Sequence, residues 1–139
     1  MSAKSPLLEL SNPVGLYDPT ANGYSHVARV AAGARLLFIA GQGGENADSE
    51  LSSDFAEQVN QALENLQIAL RAGGADVSQV AKLTVLIVDH SHERLEIFGA
   101  ALHRLWGDAP KPACTLIPVP RLALDGMLFE IEATAVLAG

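Results

Sequence analysis

Val80-Ala81-Lys82-Leu83-Thr84-Val85-Leu86-Ile87-Val88 is the stretch from which the fold is read. It is apolar and rich in β-branched residues, the composition of a central strand covered on both faces. Side chains alternate along a strand, so Leu83, Val85 and Ile87 point one way and Lys82, Thr84, Leu86 and Val88 the other. Both faces are substantially apolar. Helices packed on one face leave the other to be covered, and the pattern predicts a second copy of the chain as that cover.

Two helices flank this strand in sequence. From about Ser52 to Ala72, Phe55, Val59, Leu63, Leu66 and Leu70 recur at helical spacing, with Ala62 and Ala69 between them. Glu57, Gln58, Asn60, Gln61, Asn65 and Gln67 fill the remaining positions. Ser52, Ser53 and Asp54 are N-cap candidates, and Gly73-Gly74 closes the helix where left-handed backbone is needed. A second helix, from about Ser91 to Trp106, carries Leu95, Phe98, Leu102, Leu105 and Trp106 on its apolar face and stops at Gly107-Asp108 before Pro110. The other segments read as strands: Leu7 to Leu10, His26 to Ala32, Arg35 to Ala40, Ala113 to Leu122 and Met127 to Leu137. Gly33-Ala34 reads as a hairpin turn between the second and third, and Leu124-Asp125-Gly126 as a turn between the last two. The order β-β-β-α-β-α-β-β predicts one α+β domain over residues 1–139, a two-layer arrangement with a mixed sheet and both helices on one face.

Pro118 and Pro120 lie two apart, so their missing N–H groups face the same side of the fifth strand. Two readings stay open for them: protection of an exposed edge, and a strand that lines a subunit boundary.

Composition narrows the function classes. With 139 residues, 49% of them hydrophobic and 18% charged, the chain is globular. Nine Lys and Arg against 16 Asp and Glu give a net charge of −7, without the basic cluster that nucleic-acid binding requires. Cys114 is the only cysteine, which excludes an internal disulfide and fits a reducing, cytoplasmic setting. Met1 to Leu10 lacks the apolar run of a signal peptide, and no stretch approaches the length of a membrane helix.

Among residues that could carry chemistry, Glu130 and Glu132 stand at i and i+2 in the last strand and point the same way, about 7 Å apart. Gly41-Gln42-Gly43-Gly44 matches no phosphate or dinucleotide motif. It is either a plain turn or a place where backbone N–H groups approach an anion. His90 and His92 lack the i, i+4 spacing of a helical zinc site, and neither a metal nor a cofactor is expected. Cys114 reads as an inert buried thiol or, with a base nearby, as a nucleophile.

Six short pieces then line up in order: Gly23-Tyr24-Ser25-His26, Leu37-Phe38-Ile39-Ala40-Gly41-Gln42, Ala62-Leu63-Glu64-Asn65-Leu66, Lys82-Leu83-Thr84-Val85-Leu86, Pro112-Ala113-Cys114-Thr115 and Phe129-Glu130-Ile131-Glu132-Ala133. Together they resemble the RidA/YjgF family, also called L-PSP endoribonuclease and, in older descriptions, translation initiation inhibitor. The resemblance runs from about Pro13 to the C-terminus. It implies the chorismate mutase-like RidA fold and a homotrimer whose sheets form a central barrel, with small-molecule clefts between subunits. It also implies hydrolysis of reactive enamines and imines to 2-oxo acids and ammonia.

Carried over residue by residue, the resemblance assigns substrate-binding roles to Tyr24 and Gly43 and places Glu130 where substrate and water are handled. Thr115 stands beside the substrate-carboxylate position, and that position itself is Cys114 where the family has arginine. A thiol cannot reproduce a guanidinium fork. Arg121, seven residues on, faces the other side of a regular strand, and Lys111 is in a loop. The expectations are an enamine or imine deaminase-type hydrolase, a non-catalytic metabolite-binding or protein-interaction trimer, and the older ribonuclease or translation-inhibitor role, against which the acidic charge counts.

Overall fold

A computed structural model describes residues 6–139. Residues 1–5, and with them half of the Met1 to Leu10 reading, lie outside it. The described residues form β1 (Leu8–Ser11), β2 (Val27–Val30), β3 (Arg35–Gln42), α1 (Phe55–Ala72), β4 (Val80–Val88), α2 (His92–Trp106), β5 (Ala113–Val119) and β6 (Phe129–Leu137). The fold is α+β, as the pattern predicts, with one mixed four-stranded sheet in the order β3-β6-β4-β5. β6 runs antiparallel to β3 and β4, while β4 and β5 are parallel and joined through α2.

The hairpin expected across Gly33-Ala34 does not form. Gly33 does turn, at φ +81°, but β2 pairs with β1 in a separate two-stranded sheet and β3 pairs with β6. The local turn is real, and distant partners decide the pairing. The fifth strand ends at Val119 rather than Leu122, and β5 and β6 flank β4 instead of each other.

Asp54 caps α1, accepting from the Glu57 N–H at 3.0 Å. At its end Gly74 takes the left-handed conformation (φ +87°), whereas Gly73 is needed for space, since a Cβ there would lie 2.4 Å from Leu37 Cδ2. Ser91 caps α2 by accepting from the Arg94 N–H at 3.1 Å. Val59, Leu66 and Leu70 of α1 and Phe98 and Leu102 of α2 pack in one core with Leu83, Val85 and Ile87 of β4 and Phe129 and Ile131 of β6. Both helices therefore serve the same sheet face.

The opposite face is open in the single chain. Phe38 is 74% exposed, Leu36 50% and Ile117 43%, with Lys82, Thr84, Leu86 and Val88 half-buried between them. This is the second apolar face that the β4 sequence displays.

Candidate functional site

Two backbone irregularities shape the open face around Glu130. Between Ile39 and Gln42, β3 advances three residues while β6 advances two, from Ala133 to Ile131. The extra residue is a β-bulge, and it brings Gly41 beside Glu130. A Cβ at Gly41 would lie 1.8 Å from Glu130 Oε1, so any side chain here would displace the carboxylate from this position. Gly41, Thr84, Leu86, Glu130 and Glu132 line a hollow of ≈ 170 Å³. The two glutamates share it, as their i, i+2 spacing predicts.

The loop that follows is not an anion nest. Asn65 of α1 donates through Nδ2 to the Gly43 and Glu45 carbonyls at 3.0 and 2.7 Å. A Cβ at Gly43 would lie 2.6 Å from Glu45 Oε2 and 2.7 Å from Met127 Cε, and one at Gly44 would lie 2.7 Å from Gln58 Cα. Gly44 is required by close packing against the α1 backbone, while at Gly43 the ends of the Glu45 and Met127 side chains would have to move.

A second cluster forms at the free edge of β5. Ser25 makes a parallel bridge to Ala113, its N–H donating to Pro112 O at 3.2 Å and its Oγ to Lys111 O at 2.5 Å. This fastens Tyr24 alongside Cys114. The Tyr24 ring packs edge-on against Tyr17 (6.4 Å between centroids) and His26 (5.4 Å), and the Tyr17 and Tyr24 hydroxyls hydrogen-bond to each other. His26 Nε2 is bonded to Tyr17 O at 2.7 Å. With Leu95 and Phe98 of α2, Tyr17 and Tyr24 border a cleft of ≈ 440 Å³ that Cys114, Thr115 and Leu116 also line. Leu95, assigned to the apolar helix face by its spacing, is 39% exposed because it looks into this cleft.

Burial pushes the Cys114 thiol up to about 11 from an ordinary value of 9.0, against the opposing pull of the Lys82 ammonium. The side chain is a protonated thiol at neutral pH, packed against the core, and the inert reading of Cys114 fits it. Because the folded chain holds this proton to higher pH than the unfolded one, its contribution to stability is present below about 9 and is lost as pH climbs towards about 11. Alkylation by iodoacetamide at pH 8 is expected to run about 10²-fold slower in the native chain than in urea, and to accelerate steadily as pH is raised. Equal native and denatured rates at pH 8 would show a reactive thiol instead.

Tyr24, Cys114 and Thr115 thus meet at one cleft, and Glu130 and Gly43 do not join them. Cys114 shares the helix-side face with its register partner Leu83, while Glu130 is in register with Leu86 on the open face. Within a single chain the sheet separates Cys114 from Glu130, whereas Thr115, in register with Thr84, turns its hydroxyl to Lys82 on the open face. Arg121 is not in a strand; it pairs with Asp125 at 2.8 Å within its own loop. Lys111 Nζ donates to Gly107 O at 3.0 Å and borders neighbouring hollows rather than the Cys114 cleft. Tyr17 escaped the sequence reading because it lies in a loop without periodicity, although its spacing of seven from Tyr24 and its place before Asp18-Pro19 mark a structured turn. No group of three or more His, Cys, Asp or Glu among the described residues is placed to hold a metal, and no helix among them is long and apolar enough to cross a membrane.

Comparison with known proteins places this geometry. Residues 17–137 match the family model "Endoribonuclease L-PSP". The human 2-iminobutanoate/2-iminopropanoate deaminase is 40% identical over 106 residues, covering 73% of each chain, and the rat enzyme of that name is 33% identical over 106 residues, again 73% of each. The crystal structure of YyfB from Yersinia pestis, a conserved Rid-family protein of unknown function, superposes with a TM-score of 0.89 at 36% identity, covering 95% of this chain and 100% of that one. The chain therefore belongs to the endoribonuclease L-PSP family, the RidA/YjgF group.

Proposed function

We propose that the chain is a hydrolase of small imine- or enamine-type compounds, acting as a homotrimer in clefts shared between subunits. One observation carries the reading: the β3 bulge and Gly41 clear a seat for the Glu130 carboxylate on an open sheet face, in a chain related to imine deaminases. The Cys114 cleft and Glu130 lie on opposite sides of their own sheet, so a site that uses both is completed by a second chain. The exposed Leu36, Phe38 and Ile117 supply apolar area for that association. Thr115, beside Cys114 at the cleft, helps to position the ligand, whereas Gly43 is taken up by packing in its loop.

In the proposed step Glu130 accepts a proton from water as the water oxygen bonds to the imine carbon. Glu130 returns that proton to the nitrogen to give a carbinolamine; the new hydroxyl then gives its proton to the nitrogen as its oxygen forms the C=O bond and the C–N bond breaks with its electron pair leaving on nitrogen, yielding ammonia and a carbonyl compound. An enamine first gains a proton on carbon from water. The test is ammonia release from a panel of imines generated in situ, both carboxylated and uncharged, alongside sedimentation at micromolar protein. Expected are a mass near three 14.6 kDa chains and, for Glu130→Gln, a loss of about 10²-fold or more in the rate above spontaneous hydrolysis. A monomer, or spontaneous rates across the panel, would defeat the reading.

A second reading has its own support. Cys114 in place of a cation favours a trimer that keeps the cleft for ligand binding without catalysis, and saturable binding with background hydrolysis would establish it.

A further inference from the structure

The residues that border the Cys114 cleft are uniformly uncharged. The polar ones are the Tyr17 and Tyr24 hydroxyls, the Asn22 amide, Thr115 and the Cys114 thiol, and the rest of the wall is apolar. Lys82, Lys111, Arg121 and Arg94 each hold a hydrogen bond within the chain. Lys82 Nζ donates to Thr115 Oγ1 at 2.8 Å, and Lys82 is in register with Ala113 on the opposite sheet face. Lys111 is turned to the Gly107 carbonyl, Arg121 to Asp125, and Arg94 to Val88 O over the Phe55 ring.

Charges of both signs lie at the margin of the cleft: Lys111 lines the adjoining hollow, and Lys82 is close enough to act on the Cys114 thiol. Asp18 adjoins Tyr17, and hydrogen bonds from Thr20 hold its carboxyl below the usual range. Glu96 borders the adjoining hollow. None of the described residues that line this cleft is charged, so an anion entering it would leave water without a cation in the wall to meet it.

Two hydroxyls bonded to each other hold one proton between them and have one left to donate. The Tyr17–Tyr24 pair therefore offers a single outward O–H, strengthened by the bond behind it. That satisfies one acceptor atom, such as a carbonyl oxygen or an imine nitrogen, and would leave the second oxygen of a carboxylate without a donor from this pair.

Resting on the reading that this cleft is the ligand site, we propose that it takes an uncharged, partly apolar imine or carbonyl compound. Its heteroatom is held by the Tyr17–Tyr24 hydroxyl pair, and its alkyl part lies against Leu95, Phe98 and Leu116. Tyr17 is then a specificity-determining residue. The compound differs from an amino-acid-derived imine in having no carboxylate.

The test is a matched pair of probes, 2-methylpropanamide and 2-methylpropanoate, titrated into the isotope-labelled full chain at pH 7 and followed by NMR. The amide is expected to shift the Tyr24, Cys114 and Leu116 signals saturably, with the carboxylate at least tenfold weaker. Tyr17→Phe, an exposed position, is expected to weaken the amide at least threefold without moving the thermal midpoint. Carboxylate binding at these signals as tight as the amide would overturn the inference and leave the cleft intact as a ligand site. Shifts from neither probe would overturn both the inference and the reading beneath it. An unchanged amide affinity in Tyr17→Phe would remove the hydroxyl pair from the account.

Discussion

Gln58→Ala is expected to cost roughly 3–5 kcal/mol of stability and to lower the melting temperature by roughly 10–20 °C. Gln58 is fully buried, a polar side chain in the middle of the apolar stripe of α1. Its Nε2 donates to Ser52 O at 2.7 Å and to Gly126 O at 2.9 Å, and its Oε1 accepts from the Leu128 N–H at 2.8 Å. Truncation leaves these backbone groups without partners and opens a cavity beside Gly44, whose Cα must sit against the Gln58 backbone. Each orphaned buried group costs about 1–3 kcal/mol, and the cavity adds to that. Asn60→Ala, two residues along on the exposed side of the same helix, is expected to stay within about 0.5 kcal/mol. Urea denaturation of both variants measures the difference. A Gln58→Ala loss below 1 kcal/mol would mean that water or a neighbour replaces the amide.

Gln58 also fixes the segment leading into Glu130, and it shows where sequence reading stops. Periodicity identifies α1 correctly from Phe55, Val59, Leu63, Leu66 and Leu70, and it assigns Gln58 to the polar side because polarity is its only guide. That the residue turns inward depends on Ser52, Gly126 and Leu128, which are brought to it by the tertiary fold. The same limit explains the missed strand pairing at Gly33. Turn chemistry is local, but the partners of β2 and β3 are β1 and β6, and nothing in residues 26–40 encodes them. The two apolar faces of β4 were legible, since alternation alone reveals them. So was the common direction of Glu130 and Glu132. The bulge that seats Glu130 was not, because a one-residue register shift leaves no composition signal. Tyr17 was likewise invisible until Ser25 and Pro112 were seen to fasten its partner Tyr24 to β5.

Cys114→Arg should convert the ligand preference of the cleft, raising ammonia release from a 2-aminoacrylate-type imine at least tenfold over the unsubstituted chain. The resemblance to RidA proteins implies an arginine at this position gripping the substrate carboxylate, and the position opens onto a cleft of ≈ 440 Å³ that has room for a longer side chain. A guanidinium there makes paired, charge-assisted bonds to a carboxylate. Removing such a contact from a partly buried site costs about 2–5 kcal/mol. An inserted arginine, lacking evolved support, should recover part of that, and a tenfold gain corresponds to about 1.4 kcal/mol. The charge pattern sets the upper bound: Lys82, close enough to act on residue 114, opposes a second cation, whereas Asp18 near the cleft favours one. Cys114→Ser separates charge from the loss of sulfur and is expected to give no gain. Adding Glu130→Gln to Cys114→Arg should return the rate to the spontaneous background, because the new cation would bind substrate without activating water. A gain that survives the double substitution would place the water-activating group elsewhere. No gain in a folded Cys114→Arg variant would show that the cleft at residue 114 is not where these imines react.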